Sequence, residues 1–179
     1  MPRGGFQNEL TLDRLVKNKH EEEFHKNYEE AYAKALTELG RSYPNIVAGQ
    51  ERFSKEGEFL DTCPYATTEI LGKFQKGTRE DVSSAVKVSL ASQPQWEATK
   101  VTHRCYTFTT AADIMSKRKY EFAAWLTLEN GKNRFEAMAE VDEAIDYLRY
   151  YPSVLQTNKG YVLETEGMPP CDKAQSVLR

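Results

Sequence analysis

The amino-acid sequence predicts a mostly helical α+β chain, with an N-terminal helix, several short strands and then four helices. Three observations support this fold class. Residues 21–39 repeat apolar side chains at helical spacing, residues 46–74 contain short β-type runs, and residues 78–151 return to helical spacing. The sequence has no strand–helix–strand repeat and no internal sequence repeat.

The first helix is predicted over residues 21–39, because Phe24, Tyr28 and Ala35 fall on one face and Gly40 can end the helix. A turn at residues 42–45 leads into the β-type region. Short strands are predicted there at residues 46–48, 58–62 and 68–74. A proline closes the second strand, since proline cannot donate to a strand ladder.

Four helices are predicted to follow. The first begins at Thr78, whose hydroxyl can accept a hydrogen bond from the backbone of Asp81 while the Asp81 side chain reaches back, as in a capping box. Pro94 is predicted to end this helix, because proline removes a backbone donor. The face predicted to be buried carries Val82, Ala85, Val86 and Leu90. The next two helices are predicted at residues 102–117 and 119–129.

The last predicted helix is the one around which the chain is organised. It follows a helix stop at Asn130-Gly131, where glycine enters the left-handed region at little cost, and it is predicted to end near Pro152. Apolar residues at spacings of three, four and three form one stripe, namely Met138, Val141, Ile145 and Leu148. An acidic flank lies beside it, formed by Glu136, Glu140 and Glu143 and followed by Tyr147. By periodicity alone this is a surface helix with a solvated flank.

Composition excludes several classes of partner. The chain has 179 residues, 28% of them charged and 40% hydrophobic, and a net charge of −3, as is ordinary for a globular protein. No basic block is present, so we expect no nucleic-acid partner. The longest apolar run, residues 122–128, is too short to span a bilayer. Three cysteines without C-x-x-C spacing indicate reduced thiols and a cytoplasmic protein.

Other common site motifs are absent from the sequence. The histidines of the run HEEEFH, His20 and His25, are five residues apart rather than four, so their rings diverge around a helix and do not form the H-E-x-x-H zinc pair. His103 is isolated, and no metal site is predicted. Cys105 lies on the apolar face of its helix and is expected to be a core residue. No G-x-G-x-x-G or P-loop sequence occurs.

Several short motifs, in their order and spacing, carry a family resemblance. They are Phe6-Gln7-Asn8-Glu9, residues 43–49 (YPNIVAG), residues 69–72 (EILG) and residues 128–151 (LENGKNRFEAMAEVDEAIDYLRYY). Over roughly residues 6–155 the chain resembles the aldehyde dehydrogenase superfamily. The ending EVDEAIDYLRYY is similar to the branch of 1-pyrroline-5-carboxylate dehydrogenases, which oxidise glutamate semialdehyde.

The resemblance implies an α/β fold of the aldehyde dehydrogenase type in the full enzyme. It divides the chain into an N-terminal arm at residues 1–18, a helical N-terminal part of the cofactor-binding domain at residues 19–155, and an extended arm at residues 156–179 that leads into a dinucleotide-binding sheet. Residues 174–179 are expected to begin a strand. The full enzyme would use NAD or NADP, act on a small-molecule aldehyde in proline catabolism and form a homo-oligomer. No cofactor is expected to bind this chain alone.

The resemblance assigns one residue a role. Glu143 matches a glutamate that lies at the aldehyde entrance in the 1-pyrroline-5-carboxylate branch, and the alternative is a solvated carboxylate. The sequence contains no P-W-N-F-like, E-x-G-G or G-Q-x-C-like motif, so no catalytic or cofactor-binding residue is assigned, and the chain alone is expected to be inactive. A second hypothesis is a complete, non-catalytic binding or assembly module. A reading frame that continues beyond Arg179 into a P-W-N-F-like motif would favour the enzyme.

Overall fold

A computed structural model describes Glu9, residues 16–165 and residues 174–177. Within these residues lie five long α-helices and seven strands, in the predicted order of helix, strands and four helices. The helices are α1 (Glu21–Leu36), α2 (Arg79–Ala98), α3 (Val101–Lys117), α4 (Lys119–Asn130) and α5 (Arg134–Thr157). The strands are β1 (Arg41–Tyr43), β2 (Asn45–Val47), β3 (Gln50–Arg52), β4 (Glu58–Cys63), β5 (Ala66–Gln75), β6 (Val162–Thr165) and β7 (Ala174–Val177).

The chain divides into two compact units. The described part of the sheet unit comprises residues 16–98 and 118–141, and that of the terminal unit comprises Glu9 and residues 99–117, 142–165 and 174–177. Helix α5 thus contributes its first turns to the sheet unit and the remainder to the terminal unit. No helix in the described ranges is long and apolar enough to cross a membrane.

The sheet unit contains a three-stranded sheet in the order β1-β5-β4. Strands β4 and β5 form an antiparallel hairpin, in which the register shifts between Asp61 and Cys63. Strand β1 joins β5 in parallel, with Arg41 opposite Gly72, and β2 and β3 form a separate antiparallel pair. The predicted strands at 46–48, 58–62 and 68–74 are therefore confirmed, whereas β1 and β3 were not predicted.

Helices α1 and α4 pack together in the sheet unit. Small side chains let the two helices approach the sheet closely, because alanine adds little width to a helix face. The buried cluster is Ala35, Cys63, Leu71, Ala124 and Leu128, and Ala31, Tyr32, Leu39, Ala66 and Trp125 pack against it. Phe24, also fully buried, stacks on Phe135 with ring centroids 5.5 Å apart.

Helix α2 confirms one prediction and contradicts two. Its capping box is present: the Asp81 N–H donates to Thr78 Oγ1 at 3.1 Å, and the Thr78 N–H donates to the Asp81 carboxylate at 2.9 Å. However, the helix does not stop at Pro94 and continues to Ala98. The predicted buried face is also wrong, because no residue of α2 is buried and Val82, Val86 and Leu90 are all exposed.

The terminal unit contains α3, the later part of α5 and the β6–β7 pair. Cys105 and Ala112 of α3 are buried, as is Ile145 of α5. Gly160 has a φ of +72°, and a Cβ at this position would lie 2.7 Å from Val101 Cγ2, so both backbone conformation and space require glycine there. Strands β6 and β7 pair antiparallel, with Val162 opposite Val177, which confirms the strand expected from residue 174.

Helix α5 begins as predicted and ends later than predicted. Gly131 adopts a left-handed conformation with a φ of +71° after α4. Of the predicted stripe, Met138, Val141 and Ile145 are buried and Leu148 is half-buried. Pro152 does not end the helix, which continues to Thr157; instead Pro152 is buried, and its carbonyl accepts a hydrogen bond from Cys105 Sγ at 3.5 Å.

Candidate functional site on helix α5

Glu143, to which the family resemblance assigns a role, lies on α5 in the terminal unit. Its side chain is exposed. Successive helix residues are rotated by about 100°, so a position two residues from both Val141 and Ile145 faces away from the buried stripe. The structure thus places the Glu143 carboxylate on the exposed face of α5, opposite Val141 and Ile145.

The orientation of α5 is fixed at its start as well as along its stripe. The Asn133 side-chain oxygen accepts hydrogen bonds from the backbone N–H groups of Phe135 and Glu136, both at 3.0 Å, so it caps the first turn. In the terminal unit Ile145 is buried two residues from Glu143, and its packing limits rotation of this part of the helix about its axis. The burial of Ile145 therefore restricts the direction in which Glu143 points.

A hydrogen bond from the same helix holds the Glu143 carboxylate. The phenol of Tyr147, one turn further along α5, donates to Glu143 Oε1 at 2.8 Å. This bond, followed by the negative charge of Glu143, raises the pKa of Tyr147 above its ordinary value of 10.0. The phenol therefore remains a donor throughout the neutral range, and the carboxylate keeps its partner.

Tyr147 belongs to a group of three tyrosines on α5. Its ring stacks on Tyr151 with centroids 5.8 Å apart and an interplanar angle of 27°. Tyr151 in turn meets Tyr150 edge to face, at 5.5 Å and 69°. Residues four apart are neighbours on a helix surface, so the stacked ring of Tyr151 limits the rotation of the Tyr147 side chain.

Glu140, the neighbouring glutamate of the flank, has a different electrostatic environment. Its carboxylate pairs with the ammonium group of Lys132. Lysine carries a full positive charge, so this pair compensates the charge of Glu140. The partner of Glu143 is a neutral phenol, which orders the carboxylate and leaves its negative charge in place.

A charged network in the terminal unit supports this part of α5. Glu9 is buried, with 8% of its surface exposed. Its carboxylate pairs with Arg149 Nη1 at 2.6 Å and accepts from Ser116 Oγ at 3.1 Å, and its N–H donates to Asp146 at 2.7 Å. Arg149 also lies 3.5 Å from Asp113. Glu9 therefore connects α3 to α5, a link that no local sequence pattern predicts.

A groove of about 430 Å³ in the sheet unit surrounds Arg134. The guanidinium lies 4.8 Å from the ring centroid of Tyr28, pairs with Glu29 at 2.5 Å and donates to His25 Nδ1 at 3.1 Å. His25, one of the two histidines of the HEEEFH run, thus accepts a hydrogen bond from Arg134. Among the described residues, no group of three or more histidines, cysteines, aspartates or glutamates is arranged to hold a metal ion.

A second groove of the sheet unit, of about 370 Å³, has acidic and aromatic walls. Two of its carboxylates are already paired, Glu38 with Arg41 at 3.6 Å and Glu121 with Arg118 at 2.5 Å. The other side chains that line it are Tyr43, Asp61, Leu71, Phe74, Trp125 and Glu129. Its negative walls would disfavour an anionic ligand.

The two cysteines in the described residues are free and buried. Cys105 is fully covered in the terminal unit, which agrees with the core role predicted for it. Cys63 lies in the sheet unit beside Tyr65, whose hydroxyl is 3.0 Å from that of Tyr32. The pKa of Tyr65 is raised, first by this hydrogen bond and then by burial and by Cys63. Cys171 lies outside the described residues.

Comparisons with known proteins identify relatives of this chain. Residues 52–177 match the model described as the aldehyde dehydrogenase family. The chain is 36% identical over 141 residues to a 1-pyrroline-5-carboxylate dehydrogenase of Geobacillus sp. (strain WCH70), with 78% of this chain and 27% of that protein covered. It is 37% identical over 121 residues to the enzyme of the same name from Geobacillus kaustophilus, with 68% and 23% covered. The chain thus spans about a quarter of the length of these curated relatives.

Solved structures show the same fold. A mutant of 1-pyrroline-5-carboxylate dehydrogenase from Thermus thermophilus is similar to the chain with a TM-score of 0.80 and 27% identity, over 94% of this chain and 32% of that one. The Thermus enzyme with bound NAD gives the same values. Proline utilization A from Bdellovibrio bacteriovorus is similar with a TM-score of 0.81 and 27% identity, over 94% and 17% of the two chains.

Proposed function

Because the chain belongs to the aldehyde dehydrogenase family, we propose that it is part of an NAD(P)-dependent enzyme that oxidises glutamate semialdehyde (1-pyrroline-5-carboxylate) to glutamate in proline catabolism. The observation that carries the proposal is the family match over residues 52–177. The names of the curated relatives and the likeness to the Thermus enzyme over 94% of the chain support the choice of substrate.

The reaction requires groups that we do not assign to this chain. Oxidation of an aldehyde in this family needs a thiolate that adds to the carbonyl, donors for the oxyanion, a nicotinamide that takes the hydride, and a base that activates water. The described thiols, Cys63 and Cys105, are both buried, and no cofactor-binding motif occurs in the sequence. We therefore assign no cofactor contact here and propose NAD for the whole enzyme, with NADP as the alternative; the NAD-bound Thermus structure supports NAD.

The part that this chain contributes to the substrate site is Glu143. In our proposal its carboxylate lines the entrance through which the aldehyde reaches the nucleophile. Three observations support this role: the side chain is exposed, its helix is fixed by a buried stripe, and its charge is not compensated by the neutral phenol of Tyr147. The domain division at residues 1–18, 19–155 and 156–179 remains part of the same proposal.

The cellular setting is also proposed. An enzyme of this kind would work in the cytoplasm as a homo-oligomer on a small-molecule aldehyde, without nucleic-acid or membrane partners. The free thiols of Cys63 and Cys105 are compatible with a reducing compartment.

The function is tested by adding glutamate semialdehyde and NAD to the purified product of the whole reading frame that contains this chain and following NADH formation. We expect turnover by that protein and none by the 179-residue chain alone, since the chain has no assigned nucleophile. Turnover by the purified chain that is lost on thiol alkylation would contradict the expectation. If the whole protein reduces NAD with other aldehydes but not with glutamate semialdehyde, the proposed substrate is wrong.

The role of Glu143 is tested in the same whole enzyme. We expect Glu143→Ala to lower kcat/KM for glutamate semialdehyde at least about ten-fold, which corresponds to about 1.4 kcal/mol of transition-state stabilisation. Glu140→Ala is the matched control, because it removes a carboxylate from the same flank whose charge is already paired with Lys132. Equal and negligible effects of the two changes would mean that Glu143 is a solvated carboxylate.

A further inference from the structure

The surroundings of Glu143 indicate a second residue of the substrate site. The hydroxyl of Tyr147, on the same helix, donates a hydrogen bond to the Glu143 carboxylate at 2.8 Å. A glutamate side chain on a helix surface can rotate about three bonds, and a hydrogen bond to one oxygen selects a subset of these orientations. The phenol therefore determines where the carboxylate points.

The donor is itself held in place. Tyr147 stacks on Tyr151 at 5.8 Å, and Tyr151 meets Tyr150 at 5.5 Å. Aromatic side chains have only two rotatable bonds, so ordering them costs little entropy. A donor fixed by ring stacking can order its acceptor even though half of the Tyr147 surface is exposed.

We propose that Tyr147 is a positioning residue that holds the Glu143 carboxylate in the orientation used at the aldehyde entrance. This inference rests on the proposed function, because it presumes that Glu143 meets the substrate. A neutral donor is suited to this task, because it orders the carboxylate and leaves its negative charge uncompensated. The ammonium of Lys132, in contrast, compensates the charge of Glu140.

The experiment is a double-mutant cycle in the whole enzyme, using Tyr147→Phe, Glu143→Ala and the double variant. Phenylalanine keeps the ring that stacks on Tyr151 and removes only the hydroxyl. We expect Tyr147→Phe to lower kcat/KM about three- to ten-fold when Glu143 is present and to have no further effect when Glu143 is alanine. The matched control is Tyr151→Phe, which removes a hydroxyl from the next turn, and it should leave kcat/KM unchanged.

Two further measurements separate positioning from stability. The thermal midpoints of wild type and Tyr147→Phe should agree, because the hydrogen bond is on the surface. A tyrosine absorbance titration should lose a high-pH component in Glu143→Ala, since that carboxylate raises the pKa of Tyr147.

The outcomes distinguish the two proposals. If the wild-type enzyme is active on glutamate semialdehyde but Tyr147→Phe behaves like Tyr151→Phe, or lowers kcat/KM equally with and without Glu143, the positioning role is wrong and the function stands. If the wild-type enzyme does not act on glutamate semialdehyde, the proposed function fails and the inference fails with it.

Discussion

Replacing Ile145 with alanine should lower the free energy of unfolding of the chain by about 2–5 kcal/mol. The side chain of Ile145 is fully buried on α5. The substitution removes the transfer free energy of the lost methyl and methylene groups and leaves a cavity that the surrounding side chains fill only in part. Urea denaturation followed by circular dichroism measures the loss.

The matched control is Ile114→Ala. Ile114 belongs to α3 in the same terminal unit, and 52% of its surface is exposed. Alanine is the better helix former, so this variant should stay within about 0.5 kcal/mol of the wild type. Similar losses for the two variants would show that Ile145 is not a core residue of the terminal unit.

The second large effect is expected at Glu9. We predict that Glu9→Gln lowers the free energy of unfolding by about 2–3 kcal/mol, because it leaves the guanidinium of Arg149 without its buried carboxylate partner. Removing one member of a buried ion pair costs about 3–5 kcal/mol; Arg149 is partly exposed, so water recovers some of that cost. Thermal or urea unfolding of the two proteins gives the difference.

The network provides a control for this prediction on the same guanidinium. Asp113 lies 3.5 Å from Arg149 Nη2, and its side chain is 68% exposed. Exposed ion pairs contribute little, so Asp113→Asn should cost less than about 1 kcal/mol. A larger loss for Asp113→Asn than for Glu9→Gln would mean that burial does not decide the strength of these pairs.

The helices could be predicted from the sequence because their signals are local. The spacing of apolar residues predicted all five helices. The Thr78–Asp81 pair predicted the start of α2, and Gly131 predicted the end of α4. Three of the four residues of the predicted stripe on α5 are buried, and Leu148 is half-buried. Periodicity identifies the apolar face of a helix but does not say what covers it. For this reason the face with Val82 and Leu90 was predicted to be buried and is exposed.

The prediction that Pro152 ends its helix was wrong for a physical reason. Proline removes one backbone donor and disfavours a helix locally, and contacts with other parts of the folded chain can offset this penalty. In α5 such a contact is visible, because Pro152 is buried and its carbonyl accepts from Cys105, 47 residues earlier. Only the folded chain shows that partner.

Strand β1 and the charged network depend on distant partners. Strand β1 has three residues and pairs with β5 through Arg41 and Gly72, which is too short for an alternating pattern to be recognised. Glu9 and Arg149 are 140 residues apart. For Glu143, the spacing of four from Tyr147 was the one local clue to its hydrogen-bond partner.

The reactivity of the two buried thiols can be used to measure local unfolding in each unit. Cys63 lies in the sheet unit and Cys105 in the terminal unit, and both are shielded. A thiol reagent can modify either one only after its surroundings open. In a Cys171→Ser background, the two modification rates, resolved by peptide mass mapping, would give a separate opening free energy for each unit from one labelling time course.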